Sequence, residues 1–228
     1  MEKKFELTDK FVFNTFGIKL FQIKCTKSFK YAKEGDLGGY VEKDENLDQE
    51  SDAWVYGDAQ VYGNAWVYGD AQVYGDAWVY GDARVYGDAQ VYGDAQVYGN
   101  AWVYGDARVY GDAWVYGDAR VYGDAQVYGN ARVYGDAWVY GDARVYGDAD
   151  IENDNIHCGF DCFGSCNRHT HAYLTKDNKV EITCGCFRGS IEEFEKKVEK
   201  THSGTIYEKQ YKAIINVIKI KFGLTDLI

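Results

Sequence analysis

Hydrophobic and polar positions repeat with a period of six along the middle of the chain. From residue 55 to residue 150 the sequence runs as 16 consecutive hexads of the form Val-Tyr-Gly-(Asp/Asn)-Ala-x, in which only the fourth and sixth positions vary. A short, strict period is typical of stacked structural units that each contact only their neighbours. A period of six does not fit a helix, whereas Val and Tyr favour extended backbone. The pattern therefore predicts a mainly β protein built around a parallel β-solenoid.

The alternation within one hexad predicts which side chains are buried. Ala and Val lie two residues apart and face one side of a strand, whereas x and Tyr face the other side. Gly followed by Asp or Asn supplies a bend, because these residue types tolerate unusual backbone dihedral angles. We expect a narrow core of Ala and Val, and an outer surface of Tyr, Asp and the variable residue.

Two coil sizes are compatible with the hexad. Three hexads per turn give a triangular coil with equivalent positions 18 apart, and two give a flattened coil with a sharp reversal at every Gly-Asp. The Trp residues are separated by multiples of 12, which fits the flattened coil, although duplication of paired hexads would leave the same trace: Trp54, Trp66, Trp78, Trp102, Trp114 and Trp138. We favour the triangular coil, since two residues rarely reverse a chain without hairpin pairing. Its rod would have about five turns and a length of roughly 25 Å.

The segments on either side differ in composition, and we expect them to cap the open ends of the solenoid. The sequence divides into residues 1–50, an N-terminal β cap; residues 51–151, the solenoid; and residues 152–228, a small α+β domain. In the first segment, residues 19–25 alternate like a half-buried strand. Val41 and Leu47, spaced six apart, indicate an irregular start of the coil.

The C-terminal segment contains signals for a hairpin and two helices. Lys176-Asp-Asn separates two short apolar runs and predicts a turn. Ser190-Ile-Glu-Glu is a capping box that opens an amphipathic helix. A second helical pattern through Tyr211 ends at Gly223, where a C-terminal cap is expected.

These residues resemble a known class of proteins. Hexads with an aliphatic first position and a small fifth position resemble the left-handed parallel β-helix of hexapeptide-repeat proteins. The flanking runs Gly35-Asp-Leu-Gly-Gly-Tyr-Val-Glu-Lys and Cys184-Gly-Cys-Phe-Arg-Gly-Ser-Ile-Glu-Glu-Phe look like uncharacterised hexapeptide-repeat proteins of bacteriophages and prophages. The resemblance implies a left-handed coil and a viral or prophage gene, and it carries over no catalytic residue.

Charge and targeting signals restrict the function further. The formal net charge is −11, and residues 52–150 hold 15 Asp against five Arg. So acidic a chain is a poor ligand for nucleic acid itself. There is no run of 18 apolar residues and no apolar core of a secretory signal after Met1. We therefore expect a cytoplasmic protein, without membrane contact, whose cysteines are thiols or metal ligands.

An enzymatic role is not expected from these residues. The resemblance implies acyltransferases, which use a catalytic His on or near the coils, and zinc hydratases, which need three His around the metal. The four histidines lie outside the hexads, and no loop interrupts them: His157, His169, His171 and His202. An acyltransferase-like enzyme remains the third alternative.

A second candidate is a structural zinc site in the C-terminal segment. Five cysteines lie between positions 158 and 186, close to three of the histidines: Cys158, Cys162, Cys166, Cys184 and Cys186. Cys184 and Cys186 would share a face if both lay on one strand. However, the spacings C-x3-C-x3-C and C-x-C are not those of common zinc fingers, and Cys also serves as a small core residue. Both interpretations stay open, and we expect no other cofactor.

The third candidate is the surface of the solenoid. In a triangular coil, residues 18 apart stack into ladders, which places two rows side by side: Asp76, Asp94 and Asp112 with Tyr74, Tyr92 and Tyr110. Such an acidic rod would attract a basic protein, for example one that handles nucleic acid, and could act as a counter-defence decoy. The alternatives are a structural spacer in phage assembly, a homo-oligomer, or Asp residues that only form bends.

Overall fold

The hexads form the coils of a three-sided parallel β-solenoid. A computed structural model describes residues 3–224 of the chain. Each side of the coil is one parallel sheet of very short strands, and the described residues also contain a separate four-stranded antiparallel sheet after the coils. The prediction of a mainly β solenoid with terminal caps is confirmed.

The elements before the hexads are β1 (Phe5–Phe13), β2 (Lys19–Cys25), β3 (Leu37–Val41) and a short 3-10 helix (Asp44–Asn46). The strands of the solenoid are β4 (Trp54–Val55), β5 (Gln60–Val61), β6 (Trp66–Val67), β7 (Gln72–Gly75), β8 (Trp78–Val79), β9 (Arg84–Val85), β10 (Gln90–Gly93), β11 (Gln96–Val97), β12 (Trp102–Val103), β13 (Arg108–Tyr110), β14 (Trp114–Val115), β15 (Arg120–Val121), β16 (Gln126–Tyr128), β17 (Arg132–Val133), β18 (Trp138–Val139), β19 (Arg144–Val145) and β20 (Asp150–Ile151). A second 3-10 helix (Asp154–Ile156) leads to β21 (His157–Phe163), β22 (Arg168–Leu174), β23 (Val180–Cys184), β24 (Phe187–Gly189), α1 (Ile191–His202) and α2 (Ile206–Lys221).

The three sides of the solenoid are named by their strands. Face 1 contains β3, β5, β8, β11, β14, β17 and β20; face 2 contains β6, β9, β12, β15 and β18; face 3 contains β4, β7, β10, β13, β16 and β19. The strands β1 and β2 extend the sheet of face 1 in antiparallel fashion.

The register of the strands fixes the size of the coil. Val91 pairs with Val73 on one side and with Val109 on the other, so equivalent residues are 18 apart. The triangular coil is therefore confirmed, and the flattened coil with two hexads per turn does not form. The first turn is longer, because Val41 pairs with Val61.

The rod has about six turns, one more than the hexads alone provide. The flanking residues Val41 and Ile151 occupy the first and last coil positions on face 1. The expectation of five turns was too low because these flanks join the same ladder. The irregular start is confirmed: Leu47 bridges to Val67, also 20 residues apart, whereas Val55 pairs with Val73 at the regular 18, so the two extra residues lie between Leu47 and Val55.

The core consists of the residues that the alternation predicts. The Ala and Val side chains of the hexads are buried, and the neighbouring Tyr and variable side chains lie outside. Each corner requires glycine: Gly87 has φ +70°, and a Cβ there would lie 2.9 Å from the backbone nitrogen of Gly105 in the next coil. Stacked left-handed glycines therefore let consecutive coils approach closely.

The C-terminal elements follow their local signals. The turn after β22 places Asn178 at φ +55°. The Ser190 side chain accepts a hydrogen bond from the Glu193 backbone, which confirms the capping box of α1. Gly223, at φ +66°, ends α2 as expected. Within residues 3–224, no helix is both long enough and apolar enough to cross a membrane.

The two faces of the C-terminal sheet differ in chemistry. Ala172 and Ile182 belong to an apolar cluster with the two helices. The alternate residues of the same strands, including His171, Tyr173 and Thr183, face the last coil of the solenoid. A polar sheet face therefore closes the C-terminal end of the rod.

Candidate functional site

The solenoid surface carries the rows that the sequence predicts. Tyr74, Tyr92 and Tyr110 stack with ring centroids 4.7 and 4.8 Å apart on face 3. Two residues after each of these Tyr residues, an Asp occupies the corner between face 3 and face 1 and is exposed: Asp76, Asp94 and Asp112. The structure thus brings the six predicted surface residues together in two adjacent rows.

Similar Tyr ladders run along all three faces. Most successive rings on faces 1 and 2 stack at 4.7 to 4.9 Å, and the last pair, Tyr122 and Tyr140, lies 5.5 Å apart. The Tyr74 hydroxyl donates to Gln90 at 3.4 Å, which links one coil to the next. Partial burial in the ladder raises the pKa of Tyr98 to about 12. The ladders are therefore neutral, and the Tyr residues stabilise the coil as well as forming its surface.

The corners of the coil form three rows of Asp and Asn. The 3–1 row, between face 3 and face 1, comprises Asp58, Asp76, Asp94, Asp112, Asn130 and Asp148. The 1–2 row comprises Asn64, Asp82, Asn100, Asp118 and Asp136, and the 2–3 row comprises Asp70, Asp88, Asp106, Asp124 and Asp142. Neighbours in a row are one strand spacing apart, about 4.8 Å.

Repulsion between neighbouring carboxylates in these rows destabilises the coil. Two carboxylates at a strand spacing repel each other by about 1 kcal/mol in bulk water, and by less when salt screens them. In the 1–2 row the repulsion is relieved, because Asn64 and Asn100 donate to Asp82 and Asp118 at 3.0 Å. The 2–3 row contains only Asp. In the other two rows Asn forms the same bend at Asn64, Asn100 and Asn130, so the carboxylates are not needed to form it.

Lysines from the chain's own flanks bind the ends of these rows. Lys30 lies 3.1 Å from Asp70 in the 2–3 row, and Lys176 lies 3.2 Å from Asp148 in the 3–1 row. Lys43 donates to Asn64 of the 1–2 row at 3.3 Å. Each row thus receives a lysine at one end, while its remaining members are exposed.

Two open clefts lie where the rows meet the C-terminal sheet. A cleft of about 480 Å³ follows the 3–1 row, and its charged lining is mainly acidic, with Asp94, Asp112 and Asp148. A cleft of about 570 Å³ follows the 2–3 row and has a mixed lining: Asp106, Asp124, Asp142, Arg108, Arg144 and Arg168. The acidic cleft is the better fit for a basic side chain.

Face 2 carries a different ladder of alternating Trp and Arg. The guanidinium carbons of Arg84 and Arg120 lie 5.1 and 5.0 Å from the ring of Trp102, and Arg120 lies 4.7 Å from Trp138. The arginines of this face are therefore engaged in cation–π contacts with their neighbours.

The five cysteines are dispersed. Cys184 is buried and receives a hydrogen bond from Thr170 at 3.3 Å, and Cys158 is half-buried on the helix side. The other three are exposed: Cys162, Cys166 and Cys186. The expectation that Cys184 and Cys186 share one strand face is wrong, because β23 ends at Cys184 and Gly185 turns the chain at φ +60°.

The described residues contain no group of three or more His, Cys, Asp or Glu arranged to hold a metal ion. A zinc site would require the exposed thiols to move towards one another, since tetrahedral ligation needs four converging donors. The zinc site stays a prediction that the side-chain arrangement does not support.

A cluster of imidazoles closes the C-terminal end of the rod. His157 donates from Nε2 to Asp154 at 3.1 Å, and the Nδ1 atom of His157 lies 3.0 Å from Nε2 of His171. Asp154 also accepts from the backbone N–H of Trp138 in the last strand of face 2. Beside them, His169 bonds Asp161 at 2.5 Å.

The hydrogen bonds of this cluster form between neutral imidazole rings. Both bonds of His157 form when each ring carries its proton on Nε2, which leaves Nδ1 of the fully buried His171 without a partner. Burial lowers the pKa of His157 despite the raising effect of Asp154. Burial, with smaller effects from His157 and His169, lowers the pKa of His171 well below its ordinary value.

From the sequence, these histidines were considered only as catalytic residues or zinc ligands, and their contact with the coil was missed. Signals for it existed, because His169 and His171 alternate on one strand, as do Tyr173 and the other residues that face the rod. The partner Asp154 lies in a 3-10 turn, and only the docking of the sheet brings it to His157.

Comparison with known proteins supports the repeat architecture. The chain matches the family model described as YdcK Beta solenoid repeat at residues 53–69, 59–75, 71–87, 77–93, 89–105, 95–111, 101–117 and 125–141. These matches lie within the solenoid and cover a little over a third of the chain. With the 18-residue register they show a repeat β-solenoid protein. A search of curated proteins finds no match.

Proposed function

We propose that this protein is a non-catalytic acidic solenoid that binds a basic protein through its rows of Asp. Its flanking motifs support an origin in a phage or prophage and a left-handed hexapeptide coil. In that setting the partner would be a host or phage protein that handles nucleic acid, with the rod acting as a decoy for its substrate in the host cytoplasm.

The observation that carries the proposal is the placement of the chain's own lysines. Lys30 and Lys176 bind the terminal Asp of two rows and show how an ammonium group meets this surface. The other Asp residues of these rows present carboxylates at the same spacing, and neither Lys30 nor Lys176 binds them. A partner segment rich in Lys or Arg would extend this contact along the rod.

The charge of the rows supports binding over a purely structural role. Repulsion within a row opposes coil formation, and Asn forms the same corner at Asn64, Asn100 and Asn130. Retaining Asp at most corners therefore favours a role in which the charge itself is used. A spacer is the second candidate, favoured by the position of the two caps at opposite ends of a rod of roughly 29 Å.

A binding experiment with a defined probe tests the proposal. The probe is a labelled lysine-rich peptide, with a glutamine-substituted peptide of equal length as its control. We expect the wild-type protein to bind the lysine peptide at low salt and to release it as salt rises. Substituting Asp76, Asp94 and Asp112 together with Asn should weaken binding about tenfold or more, a loss of about 1.4 kcal/mol.

The matched control removes the same number of charges from different rows: Asp76→Asn, Asp106→Asn and Asp118→Asn. If a continuous row forms the binding face, this scattered variant binds more tightly than the clustered one. Equal binding by both variants would reject a single acidic face. No effect from either would return the rod to the role of a spacer.

A further inference from the structure

Helix α2 has a second apolar face that residues 3–224 leave uncovered. Its buried face packs in the C-terminal cluster through Tyr211, Ile214, Ile215 and Ile218. On the opposite side lie four exposed apolar residues with the spacing of a coiled-coil seam: Ile206, Ala213, Val217 and Ile220. Three of them are 48 to 61% exposed. We call these four residues the α2 strip.

The rim of the α2 strip is basic. Lys209 and Lys221 flank it on its two sides, since each lies three or four residues from members of the strip. Lys221 donates from Nζ to the carbonyl oxygen of Asp154 in its own chain at 3.2 Å, which leaves Lys209 as the lysine that is available to a partner. The acidic residue of the helix, Glu208, bonds Lys212 instead. Pairing of α2 with α2 of a second molecule would therefore bring like charges together, whereas an acidic apolar surface would complement the strip.

Face 2 of the solenoid is such a surface in its overall charge, because the rows on its two borders hold eight Asp against Arg84 and Arg120 on the face itself, whose guanidinium groups lie against Trp rings. Its exposed rings are among the most accessible aromatic side chains of the coils: Trp66 at 40%, Trp138 at 39% and Tyr140 at 45%. The 1–2 row and the 2–3 row of carboxylates border it on both sides. Face 1, by contrast, is partly covered by Phe16, which contacts Trp78 and Tyr80.

The dimensions of the two surfaces also agree. The 16 residues of α2 span about 24 Å at a rise of 1.5 Å per residue. The five strands of face 2 extend over about 19 Å along the rod. A helix lying along the rod would therefore reach every strand of the face.

We propose that the α2 strip docks on face 2 of a second copy of this chain, with Lys209 reaching one of the bordering rows of Asp. The strip faces away from the buried side of its own helix, so the occupant is another molecule. The inference rests on the proposed function in one respect, namely that the Asp rows accept lysine. Both halves of the contact lie on one chain and are therefore present at equal concentration.

Sedimentation velocity over a range of protein concentrations tests this inference. We expect the wild-type protein to associate at low salt and to dissociate partly at high salt. The double variant Val217→Asp, Ile220→Asp should weaken association at least about tenfold. Its control, Lys196→Asn with Lys200→Asn on exposed positions of α1, changes the net charge equally and should leave association unchanged. Circular dichroism verifies that each variant is folded.

Variants of the rod identify the docking face. Asp88→Asn, Asp106→Asn and Asp124→Asn in the 2–3 row should weaken association, whereas the same three changes in the 3–1 row should not. Mixing the α2 variant with this 2–3 row variant should restore association, because each supplies the surface that the other lacks.

Three results would overturn the inference: a wild-type protein that is monomeric at all concentrations, association that survives the α2 substitutions, or association that depends on α2 but not on the 2–3 row. The last result would identify pairing between helices. Binding of the lysine-rich peptide to the wild-type protein is measured in parallel. A wild-type protein that binds the peptide but does not self-associate would reject this contact and leave the proposed function standing.

Discussion

The two ends of the solenoid are closed by different chemistry. At the N-terminal end, Phe5 and Phe29 pack against Trp54 with ring centroids 6.4 and 5.4 Å apart. Buried Lys4 donates from Nζ to the carbonyl oxygen of Ala53 at 2.8 Å. At the C-terminal end, the contacts with the last coil are polar and include the buried His171.

Both caps must satisfy the unpaired backbone groups of a terminal coil. A solenoid ends in strand edges whose backbone groups lack a next coil, and these groups need partners. The N-terminal cap covers them mainly with aromatic side chains and one ammonium group. The C-terminal sheet supplies individual partners: Thr183 donates to the carbonyl of Arg144, and Asp154 accepts from Trp138. The C-terminal contacts depend on the protonation of His157 and His171 near neutral pH, and the N-terminal contacts do not.

The largest expected effect comes from the shared core between the two ends. Val103→Asp buries an unpaired carboxylate among Ala and Val, and we expect a loss of more than about 4 kcal/mol, enough to unfold the rod. Gln96→Ala on the outer side of a neighbouring strand should change the free energy of unfolding by less than about 0.5 kcal/mol. Urea unfolding followed by circular dichroism measures both. Similar losses in the two variants would contradict the assignment of inner and outer positions.

Phe5→Ala should open the N-terminal end. The side chain is fully buried against Trp54, and its removal is expected to cost about 3 to 5 kcal/mol. Hydrogen exchange should become faster in β3 and β4 and stay unchanged in β22. Loss of protection at both ends together would show that the rod opens as a single unit and would remove the distinction between the caps.

Acidification should loosen the C-terminal end selectively. The pKa values of His157 and His171 are lowered in the folded protein, so below an ordinary pKa of 6.5 the unfolded state binds more protons. Stability contributed by this cluster is therefore complete above that value and is lost as the pH falls through it. We expect faster exchange in β22 at pH 5 than at pH 7, after correction for the intrinsic rate.

The N-terminal end responds in a different pH window. Desolvation lowers the pKa of Lys4 from 10.5 to about 8, so its contribution to stability rises as the pH increases between these two values. A His171→Gln variant should lose most of the acid response in β22 and keep the response of the N-terminal end. An unchanged acid response in this variant would show that another group controls the docking of the C-terminal sheet.

The smallest effect is expected from the cysteines. Without bound zinc, the double variant Cys184→Ser, Cys186→Ser should lose no more than about 1 to 2 kcal/mol, since only the Cys184 side chain is buried. Elemental analysis of protein purified without added metal gives the independent measurement. One equivalent of zinc, with a C-terminal domain that loosens on chelation, would restore the metal site and change the account of this end.

The regular part of the molecule could be predicted from the sequence, and the junctions could not. The period of Ala and Val determines the inner face, because one register buries all of them. The alternation of residues 19–25 also predicted β2. The long first turn has no such signal, since its two extra residues lie in the irregular segment between Leu47 and Val55. The corner before it is formed by Asn46, whose side chain bonds the carbonyls of Gly63 and Ala65. The contact of His157 with Asp154 likewise arises only when the sheet docks.

The regular part of the candidate surface could also be predicted from the repeat, and its contacts with the flanking segments could not. A strict repeat places Asp76, Asp94 and Asp112 in one row as soon as the coil has three sides. The lysines that bind the row ends come from distant loops and carry no local pattern. The spacing of apolar residues between positions 206 and 220 contains the α2 strip, but only the structure distinguishes the buried face of this helix from the exposed one.

The central claim is that the corner Asp residues are kept for their charge and not for the bend. The most direct test is the free energy of unfolding of the variant Asp76→Asn, Asp94→Asn, Asp112→Asn, measured in low salt beside its affinity for the lysine-rich peptide. We predict opposite changes: the variant should be as stable as the wild type or more stable, because repulsion is relieved, and it should bind the peptide more weakly. A variant that is less stable and binds the peptide equally well would contradict the account.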